Sequence, residues 1–271
     1  MIPAMPTVHP SAIVDPQAHL ADDAVIGPGC VLEGPVHIGP GTRLLHHVSI
    51  RGPVTMGERN TLYPNVCLGF PPQHRGIDPA APTAGVRLGD DNVLREGVTI
   101  HSATKEQPTT IGDRNYLMVN SHLGHDCRIG NDITLANSVL LAGHVDIADS
   151  AFLGGSSGVH QFARVGRLAM IGGMCAMIQD LPPFCVVYQT RRVGSLNLVG
   201  LRRAGLRAHI PALTEAFAVV YKEQHTTPRA ADLIEQRCGD DPLCMEFAAF
   251  LRTTRRGITR YGTPHDVEST V

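Results

Sequence analysis

Three observations in this 271-residue sequence predict a mainly β fold, a flat-sided parallel β-helix of hexapeptide repeats with an α-helical domain at its C-terminal end. Every sixth residue from Val8 is aliphatic: Val14, Leu20, Ile26, Leu32, Ile38, Leu44, Ile50, Met56, Leu62 and Leu68 follow without a miss. The same period returns at Leu88, Leu94 and Ile100, and then runs from Ile111 through Leu117, Leu123, Ile129, Leu135, Leu141, Ile147, Leu153, Val159, Val165 and Ile171 to Met177. After Leu181-Pro182-Pro183 the period becomes that of helices.

Each hexad reads as a short strand and a bend, with its aliphatic residue pointing inward and three hexads closing one triangular coil. The residues two before the aliphatic ones, among them Ala12, Ala18, Ala24, Cys30 and Val48, are mostly small, as a tight corner requires. The repeat domain spans 1–185, and its two interruptions are read as protruding loops at 69–87 and 101–110; insertions in solenoids commonly gather on a binding face. A helical domain at 186–261 follows. Leu206, Ile210, Leu213, Phe217, Val220 and Tyr221 form one stripe, while Thr227-Pro228 and Asp241-Pro242 read as N-cap and first-turn pairs of two more helices. The last helix carries Leu243, Phe247, Phe250 and Leu251 on one face and is expected to stop near Gly257; 262–271 reads as a flexible polar tail.

Composition narrows the class. Hydrophobic residues make up 43% of the chain, without any apolar run near the ~18 residues of a membrane helix. No basic segment followed by an apolar block opens the chain. Seven cysteines without CxxC spacing suit free thiols, so a cytoplasmic location is expected. Net charge is −2, and no nucleic-acid partner is expected. Its distribution is uneven: 181–271 holds twelve Lys/Arg against nine Asp/Glu, a mildly basic end on an acidic body that suits an acidic partner.

The chemistry concentrates in Asn120-Ser121-His122-Leu123-Gly124-His125-Asp126-Cys127. With eighteen residues per coil, residue 125 stacks on 143 and 143 on 161, so His122, His125 and Asp126 come beside Gly143 and His144, and these beside His160 and Gln161. Coils about 4.8 Å apart make this a strip of roughly 10 Å. His125 followed by Asp126 supplies an imidazole titrating near neutrality and a carboxylate to orient it, which is what a general base needs. Gly143 offers an unobstructed N–H to an oxyanion. A corner of a repeat is polar without any function, but four histidines on one edge favour a site. His9, His19, His37, His46, His47 and His101 fall outside the strip and read as surface residues; Cys30, Cys127 and Cys175 read as packing groups.

The motifs NSHLGHDC, LAGHV at 141–145, VHQFARVG at 159–166, IGGM, QDLPPF and GLRRAG resemble the bacterial acyl-carrier-protein:UDP-N-acetylglucosamine O-acyltransferases of lipid A synthesis, over nearly the whole chain. The resemblance implies a left-handed β-helix, a homotrimer, and active sites between neighbouring prisms. It implies transfer of a (3-hydroxy)acyl chain from acyl carrier protein to the sugar 3-hydroxyl without a cofactor or metal. His125 would be the base, Asp126 its orienting partner and Gly143 the oxyanion donor. Gln73, His122, His144, His160 and Gln161 would line the substrates, Asn197 and Arg203 would meet the nucleotide and its phosphates, and Gly173 would leave room for the acyl chain.

The sequence departs from that family in the first loop, where Pro72-Gln73 is followed by His74, Arg75 and Gly76 instead of Asp-x-Lys, and at Val199 and Ala204. These changes leave open a paralogue acting on a different or amino-modified nucleotide sugar. The His122/His125 pair also resembles the ligand pattern of γ-class carbonic anhydrases, which keeps a zinc enzyme as an alternative, and a non-catalytic trimeric scaffold is a third.

Overall fold

The computed structural model describes residues 6–104, 106–188 and 192–262. Short parallel strands wind into three flat sheets whose members recur once per coil. Sheet A contains Tyr116–Leu117 and Thr134–Leu135, sheet B contains His122–Leu123 and Leu140–Leu141, and sheet C contains Arg128–Ile129 and Asp146–Ile147. The register is the one the repeat dictates: His122 lies beside Leu140, Leu140 beside Gly158, and Arg128 beside Asp146. The aliphatic residue of nearly every hexad from Ile26 to Met177 is buried, so the core is the inside of the prism.

Both loops leave the prism at one edge. The first joins a sheet B strand, Cys67–Phe70, to the sheet C strand Val86–Leu88; the second joins Thr99–His101 to Thr109–Ile111. They are therefore a residue or two shorter at each end than the sequence reading. The ladder stays in phase across them because strand offsets grow from 18 residues to 32 at the first loop and to 23 at the second.

At the C/A edge the small-residue position is filled by Asn60, Asn92 and Asn115 in three successive coils, all buried. Each side-chain oxygen accepts from a backbone N–H of the next coil, and each amide donates to a carbonyl, Gly89, Gly112 and Gly130 respectively. This ladder spans the coils lengthened by the two loops. No disulfide links the seven cysteines, and burial pushes the Cys127 thiol up to about 12, which leaves it a packing group.

The prism continues past the Pro pair. Cys185–Val187 adds to sheet A and Val193–Leu196 folds back antiparallel on it, so the solenoid ends on a capped strand instead of at 185. Helices α1 (Leu198–Arg203), α2 (Ile210–Tyr221), α3 (Thr227–Cys238) and α4 (Pro242–Arg252) follow. Asp241 caps α4 as expected, accepting from the Leu243 and Cys244 amides. The cap of α3 is Thr226, one residue earlier than the sequence suggested, because Pro228 occupies the second helical position. α4 ends at Arg252, where the Thr253 amide turns back onto the last carbonyls, short of Gly257. Asp180, 1% exposed, ties the two domains: it accepts from the Arg164 amide and guanidinium and from the Thr254 hydroxyl. Of the expected tail only Gly262 lies within the described residues. No helix among them is long and apolar enough to cross a membrane.

Asn92→Leu keeps the branching of the side chain but orphans the Asn115 N–H and the Gly112 carbonyl. Each buried unsatisfied group costs about 1–3 kcal/mol, so urea unfolding is expected to show a loss of about 2–6 kcal/mol.

Candidate active site

The B/C edge collects the site. Asp126, His144 and Phe162 occupy its corner in three successive coils with φ near +60°, the left-handed bend that closes each hexad. His125 precedes the first of them. Its Nδ1 lies 2.7 Å from Asp126 Oδ2, and the His144 Nε2 lies 3.5 Å from the same oxygen. The three side chains are 16%, 8% and 19% exposed, half-sheltered but reachable. The His125 ring stands edge-on to His144 with centroids 5.1 Å apart, and His144 stacks flat on Phe162 at 4.5 Å.

Asp126 stays ionised against the environment. Burial raises its pKa, but the Thr104 hydroxyl (2.6 Å), His125 and the Thr104 amide outweigh it, with help from the His144 field, and the net direction is down. The Thr109 hydroxyl accepts from the Asp126 amide and fixes the corner. The carboxylate is thus a permanent acceptor for the His125 Nδ1–H, which leaves Nε2 with the free lone pair of a base.

Gly143 has a steric role besides the expected one. A Cβ there would meet the His125 ring at 2.6 Å, so only glycine lets the imidazole lie against the next coil. Its N–H has no hydrogen-bond partner among the described residues, as an oxyanion donor requires.

The remaining expected residues divide. His122 lies on the outer face of sheet B, its Nδ1 2.7 Å from Thr99 Oγ1, and burial with the His101 field pushes it down to about 4. Gln161 and His160 lie one coil beyond His144, exposed, and Gln73 is exposed on the first loop. Gly173 lies on the A/B edge, across sheet B from the base. Asn197 sits at the C/A edge, where its side chain accepts from Gly200 N and donates to Leu168 O; it caps α1, and Arg203 is exposed in the last turn of that helix. Within one chain, therefore, Asn197, Arg203 and Gly173 do not converge on His125.

Several residues escaped sequence reasoning. His101, read as a surface residue, stands 5.2 Å from the His122 ring, and its Nδ1–H donates to the Pro71 carbonyl at 2.6 Å. A carbonyl can only accept, so Nδ1 carries the proton. His74 reaches over the site with its ring 6.2 Å from that of His125. Thr99, Thr104 and Thr109 were missed because the loops change the residue offset between coils. A cleft of about 1060 Å³ opens beside Asp126, His144 and Phe162 and is lined farther on by Arg128, Arg255 and Arg256.

Comparison with known proteins decides the family. A curated relative from Thermodesulfovibrio yellowstonii, an acyl-[acyl-carrier-protein]–UDP-N-acetylglucosamine O-acyltransferase, is 39% identical over 260 residues, 94% of this chain and 100% of its own. The chain belongs to the UDP-N-acetylglucosamine O-acyltransferase family. A relative of the same description from Anaeromyxobacter is 39% identical over 93% of this chain and 99% of its own. The solved UDP-N-acetylglucosamine acyltransferase of Francisella novicida superposes with a TM-score of 0.91 at 34% identity, covering 97% of this chain and 96% of that one. The profile of the second domain of the family matches residues 180–259, the Asp180 junction and the helices. The left-handed β-helix is the fold of this acyltransferase family, and the paralogue and carbonic-anhydrase alternatives give way to it. The His122/His125 ligand pair of the latter does not appear: the group of metal-ligating side chains among the described residues is His125, Asp126 and His144, without His122.

A folded-state His122 pKa below the unfolded 6.5 means that the unfolded chain takes up the proton first as pH falls. The stability this neutral histidine secures is complete above pH 6.5 and is lost progressively toward pH 4. NMR titration of the ring should find it neutral at pH 5.5, and His122→Gln should flatten the fall in unfolding midpoint across that window.

Proposed function

We propose that this acyltransferase moves a (3-hydroxy)acyl chain from acyl carrier protein to the 3-hydroxyl of UDP-N-acetylglucosamine, with His125 as general base. The observation that carries the assignment is the His125–Asp126 pair beneath Gly143. His125 Nε2 takes the proton of the sugar hydroxyl as its oxygen attacks the thioester carbonyl. The carbonyl oxygen gains the negative charge and meets the free Gly143 N–H. Collapse breaks the carbon–sulfur bond, and the leaving thiolate receives the proton from His125, which restores the base. Asp126 holds the ring in the tautomer this cycle needs and stabilises the imidazolium that forms. The family names of the relatives support this acceptor over an altered one, despite His74 and Arg75.

His125→Ala should lower turnover by about a hundredfold or more with an unchanged circular dichroism spectrum, the usual scale for a general base. Gly143→Ala should act the same way by displacing the ring, losing at least about tenfold. Turnover at the wild-type rate in His125→Ala would remove the assignment.

The faces of the prism support a homotrimer. Sheet C points His19, His37, Thr55, Arg87, Arg128 and Asp146 outward and is polar. Sheets A and B instead present apolar groups, Phe152 at 38% exposure and Leu140 at 55% among them. Packing sheet A of one copy toward sheet B of the next around a three-fold axis covers both and closes the ring. It also brings the B/C edge of one copy beside the C/A edge of the next, which is how Asn197 and Arg203 would reach the nucleotide at His125. Light scattering should give three chains per particle at working concentration, and an active monomer would contradict this.

Acyl carrier protein, acidic by the logic of the basic helical end, would dock near Arg202, Arg203 and Arg207 in the cytoplasm. Attraction between exposed charges is screened within about 8–10 Å at physiological salt, so the Michaelis constant for the carrier should rise steeply with ionic strength. A flat response would point to a small acyl-coenzyme donor.

A further inference from the structure

We propose that His125, Asp126 and His144 form a binding site for a divalent transition-metal ion of the zinc type, and that the ion shuts off acyl transfer by taking the base out of use. The inference rests on the reading of His125 as that base. Each residue offers one ligand atom, and the three atoms lie within 4.8 Å of one another. Two imidazoles and a carboxylate are the donors that Zn²⁺ takes, at about 2.0–2.2 Å each.

Two of the three ligand separations suit the ion with little movement. Ligands at those lengths around a tetrahedral centre stand about 3.3 Å apart. His144 Nε2 and Asp126 Oδ2 are 3.5 Å apart already. His125 Nδ1 and Asp126 Oδ2, at 2.7 Å, have to open by about half an ångström, the separation gained when an ion replaces the shared proton. Asp126 is held ionised by Thr104 and supplies the negative charge. The fourth position falls to a water from the adjoining cleft of about 1060 Å³. No other group of three or more such ligands occurs among the described residues.

Inhibition follows from the tautomer. Neutral His125 keeps its proton on Nδ1, toward Asp126, and its lone pair on Nε2. When the ion takes Nδ1, that proton leaves Nδ1, and the neutral ring now carries its proton on Nε2, where the base needs a lone pair. Coordination through Nε2 consumes the lone pair directly. No covalent step or redox partner is involved; a proton site is exchanged for a metal bond.

Equilibrium dialysis against Zn²⁺ alone at neutral pH tests the site. The wild-type protein should bind one ion per chain at the His125 edge. Loss of an outer-shell partner alone costs about 10–100-fold in affinity, so His144→Ala and Asp126→Asn should each weaken binding at least about tenfold. The exposed, stacked pair His19 and His37, with centroids 4.8 Å apart, is the competing surface locus, and the double variant His19→Ala/His37→Ala should leave the His125-edge ion in place. Acyl transfer by the wild type should fall in proportion to occupancy and return with a chelator. The proposal is overturned if His144→Ala and Asp126→Asn, both folded by circular dichroism, bind Zn²⁺ as tightly as wild type, or if the fully loaded enzyme transfers acyl groups undiminished. Failure of the underlying reading is separate: His125→Ala would then transfer at the wild-type rate in metal-free buffer.

Discussion

Everything in this molecule depends on the eighteen-residue coil with an aliphatic residue at every sixth place. A strand that slipped by one residue would turn its buried aliphatic group outward and its polar neighbour inward, a loss repeated in each of three sheets. The register is therefore stiff, and side chains outside the prism inherit its precision. His125, Asp126, His144 and Phe162 are far from continuous in sequence, yet they stack because the interior leaves their coils no other alignment. The site needs no separate packing to assemble it.

The corners carry a conformational cost that the site exploits. Left-handed backbone suits Asn, Asp and Gly; among the described residues eight of the seventeen non-glycine residues in that region are Asn, Asp or Ser, and the B/C edge adds His144 at φ +60° and Phe162 at φ +64°. A bulky residue in that region costs roughly 1–2 kcal/mol. Phe162 is half exposed to solvent and lies flat on His144, so the aromatic contact offsets part of that cost and limits the swing of an imidazole 3.5 Å from the Asp126 carboxylate.

Much of this was legible in the sequence. Hexads gave the prism, and counting by eighteen placed Gly143 against His125 and His144 beyond it, as the ladder does. Counting failed wherever a loop lengthens a coil. Thr99 meets His122 at an offset of 23, so no fixed period links them, and Thr104 reaches Asp126 from inside a loop that has no period at all. Thr104 helps hold Asp126 ionised, whereas His122 is shifted by burial and by His101, with Thr99 fixing its ring. Sequence pattern therefore found the chemical groups and missed what tunes them. It also placed Asn197 and Arg203 with the site on resemblance alone, whereas the fold puts them on a different edge of the same prism.

That separation follows from the shape. A triangular prism with its base at the B/C edge has sheet C between that edge and the C/A edge, a full strand set away, so no side chain of α1 can span it. Asn197 is further committed, since its oxygen holds the Gly200 amide and its amide holds the Leu168 carbonyl, leaving one N–H for a ligand. Arg203 is exposed at the C-terminal end of α1, where the helix dipole favours a cation and a phosphate finds an unencumbered guanidinium. A solenoid can lengthen its sheets but cannot fold one edge onto another. In the proposed trimer it is the C/A edge of a second copy that would meet the base, with the apolar groups on sheets A and B, Leu140 and Phe152 among them, supplying the driving force.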